Sequence, residues 1–93
     1  MIVGIIQVEL SIPWALSLKD KRQVIRSLKD KVRQKFNVSV AEVGANESWR
    51  SAIIGMATVG NEPKFVRDSC DTVMRWIEEN CEASVEDFEI EII

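Results

Sequence analysis

The chain contains no histidine and no tyrosine among its 93 residues. Histidine is the side chain that enzymes use most often as a general base, and it is the commonest metal ligand in proteins. Its absence excludes a Ser-His-Asp triad and a Cys-His pair within one chain. Only four glycines occur, and they are too scattered to form a phosphate-binding loop or a dinucleotide fingerprint. We therefore expect no catalytic residue, no metal ion and no cofactor.

Long hydrophobic runs are absent as well. No segment approaches the roughly 20 consecutive apolar residues that a membrane-spanning helix requires. The apolar start, Met1 to Leu10, has no basic residues before it and no small-residue cleavage pattern after it. It therefore does not fit a signal peptide. We expect a cytoplasmic protein without a membrane partner.

Cysteine is limited to Cys70 and Cys81. Both fall in one predicted helix, where eleven residues correspond to about 16 Å along the axis. That separation is far beyond the reach of a disulfide, so the two thiols cannot pair with each other. Buried free thiols are the favoured interpretation, and an intermolecular bridge or a reactive thiol is the alternative.

Charge is plentiful but unevenly distributed. The net charge is −3, yet eight of the twelve basic residues lie between Ser17 and Phe36, where only two acids oppose them. Residues 62 to 93 show the opposite balance, with ten acids against three basic residues. Because electrostatic fields act locally, this asymmetry says more about binding partners than the net charge does.

The periodicity of apolar residues predicts six elements. The strands are expected over Ile2 to Leu10, Val38 to Val43, Trp49 to Gly60 and Ser84 to Ile93, and the helices over Leu18 to Phe36 and from Pro63 to about Glu82. Ser17 followed by Asp20 resembles a capping box ahead of the first helix. The order β-α-β-β-α-β is that of the ferredoxin-like fold. We therefore predict one α+β domain over residues 1–93, with a four-stranded antiparallel sheet and both helices on one face.

Each predicted helix has one apolar face. The first contributes Val24, Ile25, Leu28, Val32 and Phe36, and the second contributes Phe65, Val66, Cys70, Val73, Trp76 and Ile77. In the last strand, Phe88, Ile90 and Ile92 are expected to point inward, with Glu89 and Glu91 outward.

The sheet face away from the helices is unusually apolar. On the first strand it presents Val3, Ile5, Gln7 and Glu9, and on the third it presents either Ile54 and Met56 or Ile53 and Ala57, depending on register. Such a surface is too apolar to remain in water without a reason. Self-association into a homodimer through this open face is the favoured explanation, and a hydrophobic partner or ligand is the alternative.

Five of the basic side chains fall on a single stripe of the first helix, beside its buried face. At 100° per residue they lie within about 80° of one another. No acid interrupts this group, which we name the cationic stripe: Lys19, Arg22, Arg26, Lys29 and Arg33. Neighbours four residues apart in the stripe repel each other, and a chain that tolerates this repulsion is expected to have an anionic partner. The other three basic residues of the segment, Lys21, Lys31 and Lys35, lie toward or beyond the buried edge, where their stems are expected to cover the core.

Three anionic partners fit the cationic stripe. Nucleic acid is one, carboxylates of the chain's own second helix or of a neighbouring subunit are another, and a small phosphorylated ligand at the helix start is the third. Base stacking on the sheet, as in RRM domains, is disfavoured because the first strand carries no aromatic residue. Trp14 is expected to pack against the domain, and stacking on a base is the alternative. The acids of the C-terminal half show no convergence and are interpreted as a solvated surface, and a divalent-ion or paired-acid site of an enzyme is the alternative.

Several runs resemble the YlxP-like family of small bacterial proteins, also catalogued as domain-of-unknown-function family 503. The runs are Ser17 to Arg22 and Lys35 to Val43, followed by Trp49, Ala52 and Gly55, and the likeness spans essentially the whole chain. The resemblance implies a cytoplasmic ferredoxin-like domain, commonly encoded beside translation-initiation and ribosome-maturation genes. It implies no established enzyme activity, and RNA or ribosome association is the usual conjecture for the family.

The sequence thus predicts a non-catalytic binding module that associates with RNA or the ribosome through the cationic stripe. The alternative is a structural or protein-interaction homodimer whose basic helix pairs with an acidic partner surface. Arg26 and Arg33 discriminate between the two. Pairing of both with carboxylates favours the second interpretation, and exposure of both to solvent favours the first.

Overall fold

The computed structural model describes residues 1–93 and contains the six predicted elements in the predicted order. They are β1 (Ile2–Ser11), α1 (Leu18–Lys35), β2 (Ser39–Gly44), β3 (Ser51–Gly60), α2 (Pro63–Asn80) and β4 (Ser84–Ile92). The strands form one antiparallel sheet in the order β2-β3-β1-β4. This arrangement confirms the predicted α+β, ferredoxin-like βαββαβ fold. Neither helix is both long and apolar enough to cross a membrane.

The register of the central strand assigns each residue to a face of the sheet. Ile6 lies opposite Met56 on one side and Ile90 on the other, and all three belong to the core or pack against it. Ile5 lies opposite Ala57. The register therefore places Ile53 and Ala57 on the open face, and it buries Ile54 and Met56 beneath the helices.

α1 covers the sheet with the apolar face that its periodicity predicts. Val24, Ile25, Leu28 and Val32 are buried. Phe36, the residue after the helix, is only partly buried and meets Trp76 of α2 edge to face, with ring centroids 5.9 Å apart. The C-terminal end of α1 is thus joined to α2 by an aromatic pair in a favourable geometry.

α2 packs closely because β1 has a glycine where the helix crosses it. A Cβ built on Gly4 would lie 2.6 Å from Cys70 Sγ and 2.7 Å from Val66 Cγ1. Those distances are well inside van der Waals contact, so only glycine leaves room for the helix at this approach. Cys70 is fully buried there, as expected for a free thiol of the core.

Three predictions about individual side chains are wrong. Phe65 is 62% exposed rather than buried, because it lies about 100° around α2 from Val66. Phe88 lies opposite Val8 but remains 41% exposed. Cys81 caps α2 rather than lying within it. Phe65 and Cys81 lie at the two ends of α2, where periodicity carries least information. Phe88 lies in the middle of β4, an edge strand, beside the register shift between Asp87 and Val85.

Candidate nucleic-acid interface

The start of α1 is fixed by two side chains that satisfy backbone donors. Ser17 Oγ accepts a hydrogen bond from the Asp20 N–H at 3.2 Å, and Asp20 Oδ2 accepts one from the Leu16 N–H at 2.9 Å. The exchange resembles a capping box, with the returning bond made to the residue before the cap. It sets the rotation of the helix, so the cationic stripe begins in its first turn.

The structure exposes most of the cationic stripe. Lys19, Arg22, Arg26 and Arg33 are exposed, and Lys29 is half-buried. Of the five, only Arg33 has a carboxylate of the same chain within 4.0 Å, since its Nη1 lies 3.7 Å from Asp30 Oδ1. That contact joins two half-exposed side chains of one helix, so it contributes little stability. Four of the five cations have no carboxylate partner within this distance.

Arg33 has a second role that the sequence does not reveal. Its Nη2 donates to the Val40 carbonyl of β2 at 3.2 Å. β2 is an edge strand, and an outward carbonyl on an edge strand otherwise invites pairing with another chain. Arg33 therefore blocks part of this edge, and it is the least available member of the stripe. The two discriminating residues consequently differ, since Arg26 is free whereas Arg33 bonds to its own chain.

Lys21 is the most constrained cation of the segment. Its side chain is 1% exposed, and Nζ lies 2.8 Å from Glu42 Oε2. The same Nζ donates to the carbonyls of Ala45 and Ser48 at 2.7 Å each. Glu42 Oε2 receives no well-aligned hydrogen bond, so its attraction to Lys21 is mainly ionic. Lys21 thus ties the first turn of α1 to β2 and to the loop that follows it.

The sequence predicts a position near the buried edge for Lys21 but not its partners. A usable signal exists, because Lys21 precedes Val24 by three residues and Ile25 by four, on the core face of the helix. Lys31 and Lys35, grouped with it in that prediction, are exposed. Lys35 Nζ nevertheless lies 5.8 Å from the centre of the Phe36 ring, over an aromatic of the core edge.

The acidic half of the chain forms no evident site. None of the acids of β4 takes part in an ion pair within the chain. No group of three or more acidic or cysteine side chains is placed to hold a metal ion. Glu89 and Glu91 lie opposite Gln7 and Ile5, on the open face, as the alternation predicts.

The open face combines apolar and acidic strips. Ile5 and Ile53 are half-buried, whereas Val43 and Val59 are more than half exposed. The acids of β4 border this apolar surface on one side, and β1 and β3 supply no aromatic side chain to it. Neither strand therefore offers a base-stacking platform of the RRM type.

Two comparisons with known proteins agree with the sequence resemblance. A family model described as "Protein of unknown function (DUF503)" matches residues 3–90, a span that includes all of α1. The "Uncharacterized protein YlxP" of Bacillus subtilis (strain 168) is 32% identical over 76 residues, which cover 82% of this chain and 83% of that protein. Neither description names an activity, a ligand or a partner.

Proposed function

The chain belongs to the DUF503 family, and we propose that it is a non-catalytic binding module that associates with RNA or the ribosome through the cationic stripe. One observation carries the proposal. Lys19, Arg22, Arg26 and Lys29 share one helix face, and none of them has a carboxylate within 4.0 Å. These four cations are unpaired although the chain contains more acidic than basic residues.

The energetic argument concerns repulsion along the helix. Arg22 and Arg26 are i,i+4 neighbours, and so are Lys29 and Arg33, and each like-charged pair is unfavourable by a few tenths of a kcal/mol. A solvated helix face ordinarily mixes charges and so avoids this penalty. A row of phosphates beside the stripe would replace this repulsion with a net attraction. The charge pattern of the stripe is therefore more favourable when a polyanion is bound than when the stripe faces solvent.

The proposed contact is largely sequence-independent. Lysine and arginine on a helix face bind phosphate oxygens, which position a protein on RNA but carry no sequence information. With four phosphates neutralised, the logarithm of the association constant should fall with the logarithm of salt concentration with a slope of about −3.

The test compares two double charge reversals of equal size. Arg22→Glu/Arg26→Glu removes the centre of the stripe. Arg67→Glu/Arg75→Glu makes the same charge change at two exposed positions of α2. Filter binding to ribosomal RNA should show a loss of at least about 30-fold for the first variant, because two contacts become repulsive. The second variant should lose much less, since only the net charge changes.

Two results contradict the proposal. Equal losses in the two variants would show that net charge alone governs the binding. Binding of wild-type protein with a flat salt dependence would show that phosphates are not its target. Far-UV circular dichroism of both variants controls for folding, and their exposed positions predict little change.

A homodimer is the second candidate, and the open face favours it. Val3 and Ile5 lie opposite Val59 and Ala57 there, and a dimer through this face would bury their apolar side chains. In the other arrangement, the acidic surface of one copy faces the cationic stripe of its partner. Sedimentation equilibrium at low and high salt separates the two contacts. A dimer that Ile5→Lys disrupts at any salt would use the open face, whereas one lost at high salt and in Arg22→Glu/Arg26→Glu would use the stripe. A monomer under all conditions would contradict both.

A further inference from the structure

Two tryptophans remain exposed at the end of the molecule where the cationic stripe begins. Trp14 and Trp49 are each 51% exposed, and Leu16, two residues after Trp14, is 73% exposed. We name these three residues the indole patch. A half-exposed tryptophan leaves a large apolar ring surface in water, and two on adjoining loops call for an explanation.

The loops that carry the indoles are held by their own hydrogen bonds. The Ile12 N–H donates to the Arg50 carbonyl at 2.8 Å, and Arg50 Nε donates to the Ala15 carbonyl at 3.2 Å. These bonds join the segments on either side of Trp14 to the residue after Trp49. These polar bonds fix the loops and leave about half of each indole exposed to solvent.

The first turn of α1 is fixed to the same place. Lys21 Nζ donates to the carbonyls of Ala45 and Ser48, in the loop that leads to Trp49. The start of the cationic stripe and the indole patch therefore belong to one rigid assembly. A partner that contacts the stripe also meets the patch without a conformational change, which lowers the entropy lost on binding.

Cations outnumber acids around the indole patch by three to two. Lys19 and Arg22 lie in the first turns of α1, and Arg50 adjoins Trp49 in sequence; all three are exposed. Glu47 is an exposed acid of the same loop. Asp20 is engaged by the Leu16 N–H. The local balance is positive, so a polyanion with apolar faces fits this surface better than an apolar peptide does.

From this geometry we propose that the indole patch binds single-stranded RNA, with bases stacked on Trp14 and Trp49 while the cationic stripe binds the phosphates. The inference rests on the proposed function and names its ligand class. Unpaired bases stack on aromatic side chains, whereas bases inside a duplex are not accessible to them. Aromatic rings beside a basic groove are the usual arrangement for single-stranded nucleic acids.

The experiment measures the anisotropy of a labelled oligouridylate of about 12 nucleotides and of a duplex RNA of the same length. Trp14→Ala and Trp49→Ala should each weaken oligouridylate binding by at least about 5-fold, the lower end of base-stacking effects. Neither should change duplex binding. Phe65→Ala is the matched control, because Phe65 is also an exposed aromatic but adjoins Gly60 at the other end of β3. It should leave both affinities unchanged.

A conservative variant separates stacking from folding. Trp49→Phe keeps an aromatic ring and should retain most of the oligouridylate affinity that Trp49→Ala loses. Binding should also quench indole fluorescence in a Trp76→Phe background, where Trp14 and Trp49 are the remaining indoles.

The outcomes distinguish this inference from the proposed function. Unchanged oligouridylate affinity in both alanine variants, with binding still lost in Arg22→Glu/Arg26→Glu, would overturn the stacking inference and leave the stripe as the RNA site. The patch would then face a protein or a second copy. Failure of wild-type protein to bind either RNA would overturn both proposals.

Discussion

Replacing Lys21 with methionine tests how the candidate interface is held together. Methionine keeps most of the aliphatic stem, so the substitution removes the ammonium group with little change in packing volume. In the native chain that group lies 2.8 Å from Glu42 Oε2 and donates to the carbonyls of Ala45 and Ser48. In the variant the two carbonyls lose this donor, and Glu42 loses its counterion.

The magnitude follows from the burial of the two partners. Removing one member of a buried ion pair typically destabilises a protein by about 3–5 kcal/mol. Lys21 is 1% exposed, but Glu42 is 18% exposed, so water partly solvates the abandoned carboxylate. We expect a loss of about 2–4 kcal/mol in the free energy of unfolding. For a domain of this size, that corresponds to a fall in Tm of at least about 8 °C.

Urea unfolding followed by far-UV circular dichroism measures this loss. Lys31→Met is the matched control, because Lys31 is an exposed lysine of the same helix. It should change stability by no more than about 0.5 kcal/mol. Adding Glu42→Gln to Lys21→Met should recover part of the loss, since no unpaired charge then remains. A loss below about 1 kcal/mol for Lys21→Met would refute the reasoning, because that is the value of an exposed ion pair.

Four further predictions follow from the packing, the helix cap and the two thiols. Gly4→Ala should destabilise the fold by about 1–3 kcal/mol in urea unfolding, since its Cβ would lie 2.6 Å from Cys70 Sγ; unchanged stability would contradict the close approach. Ser17→Ala should cost about 1 kcal/mol in the same assay, whereas Ser17→Asp should retain the cap. Burial raises the pKa of the Cys70 and Cys81 thiols. The folded state thus favours the protonated form. Below the pKa of the thiols in the unfolded chain, Cys70 and Cys81 should therefore leave the free energy of unfolding unchanged. That free energy should fall as the pH rises from there through the raised pKa values of the folded state. Cys81, which is only partly buried, should react with a thiol reagent at least about tenfold faster than Cys70.

Periodicity predicts the fold because most elements have one clearly apolar face. In α1 the spacing of Val24, Ile25, Leu28 and Val32 specifies both the helix and its buried side. The same spacing rotates the basic residues onto one exposed edge. The exposure of Arg26 could therefore be predicted, since it depends only on helix geometry.

The remaining features depend on contacts between distant parts of the chain. Lys21 is buried by backbone carbonyls that lie 24 and 27 residues away, and a carbonyl has no signature in sequence. Arg33 donates to the Val40 carbonyl because β2 is the edge strand of the sheet and has no neighbouring strand on that side. The joining of the loops around Trp14 and Trp49 likewise depends on a bond from Arg50. Sequence reasoning thus predicts the stripe but not the assembly that supports it.

The salt dependence of ribosomal RNA binding tests the central claim most directly. Each phosphate contact contributes to the slope of the logarithmic plot, so the count of contacts is read from the slope. For wild-type protein the account predicts a slope of about −3, and for Arg22→Glu/Arg26→Glu a slope shallower by about 2. The same slope for both proteins would contradict the claim that the cationic stripe is the surface that binds phosphate.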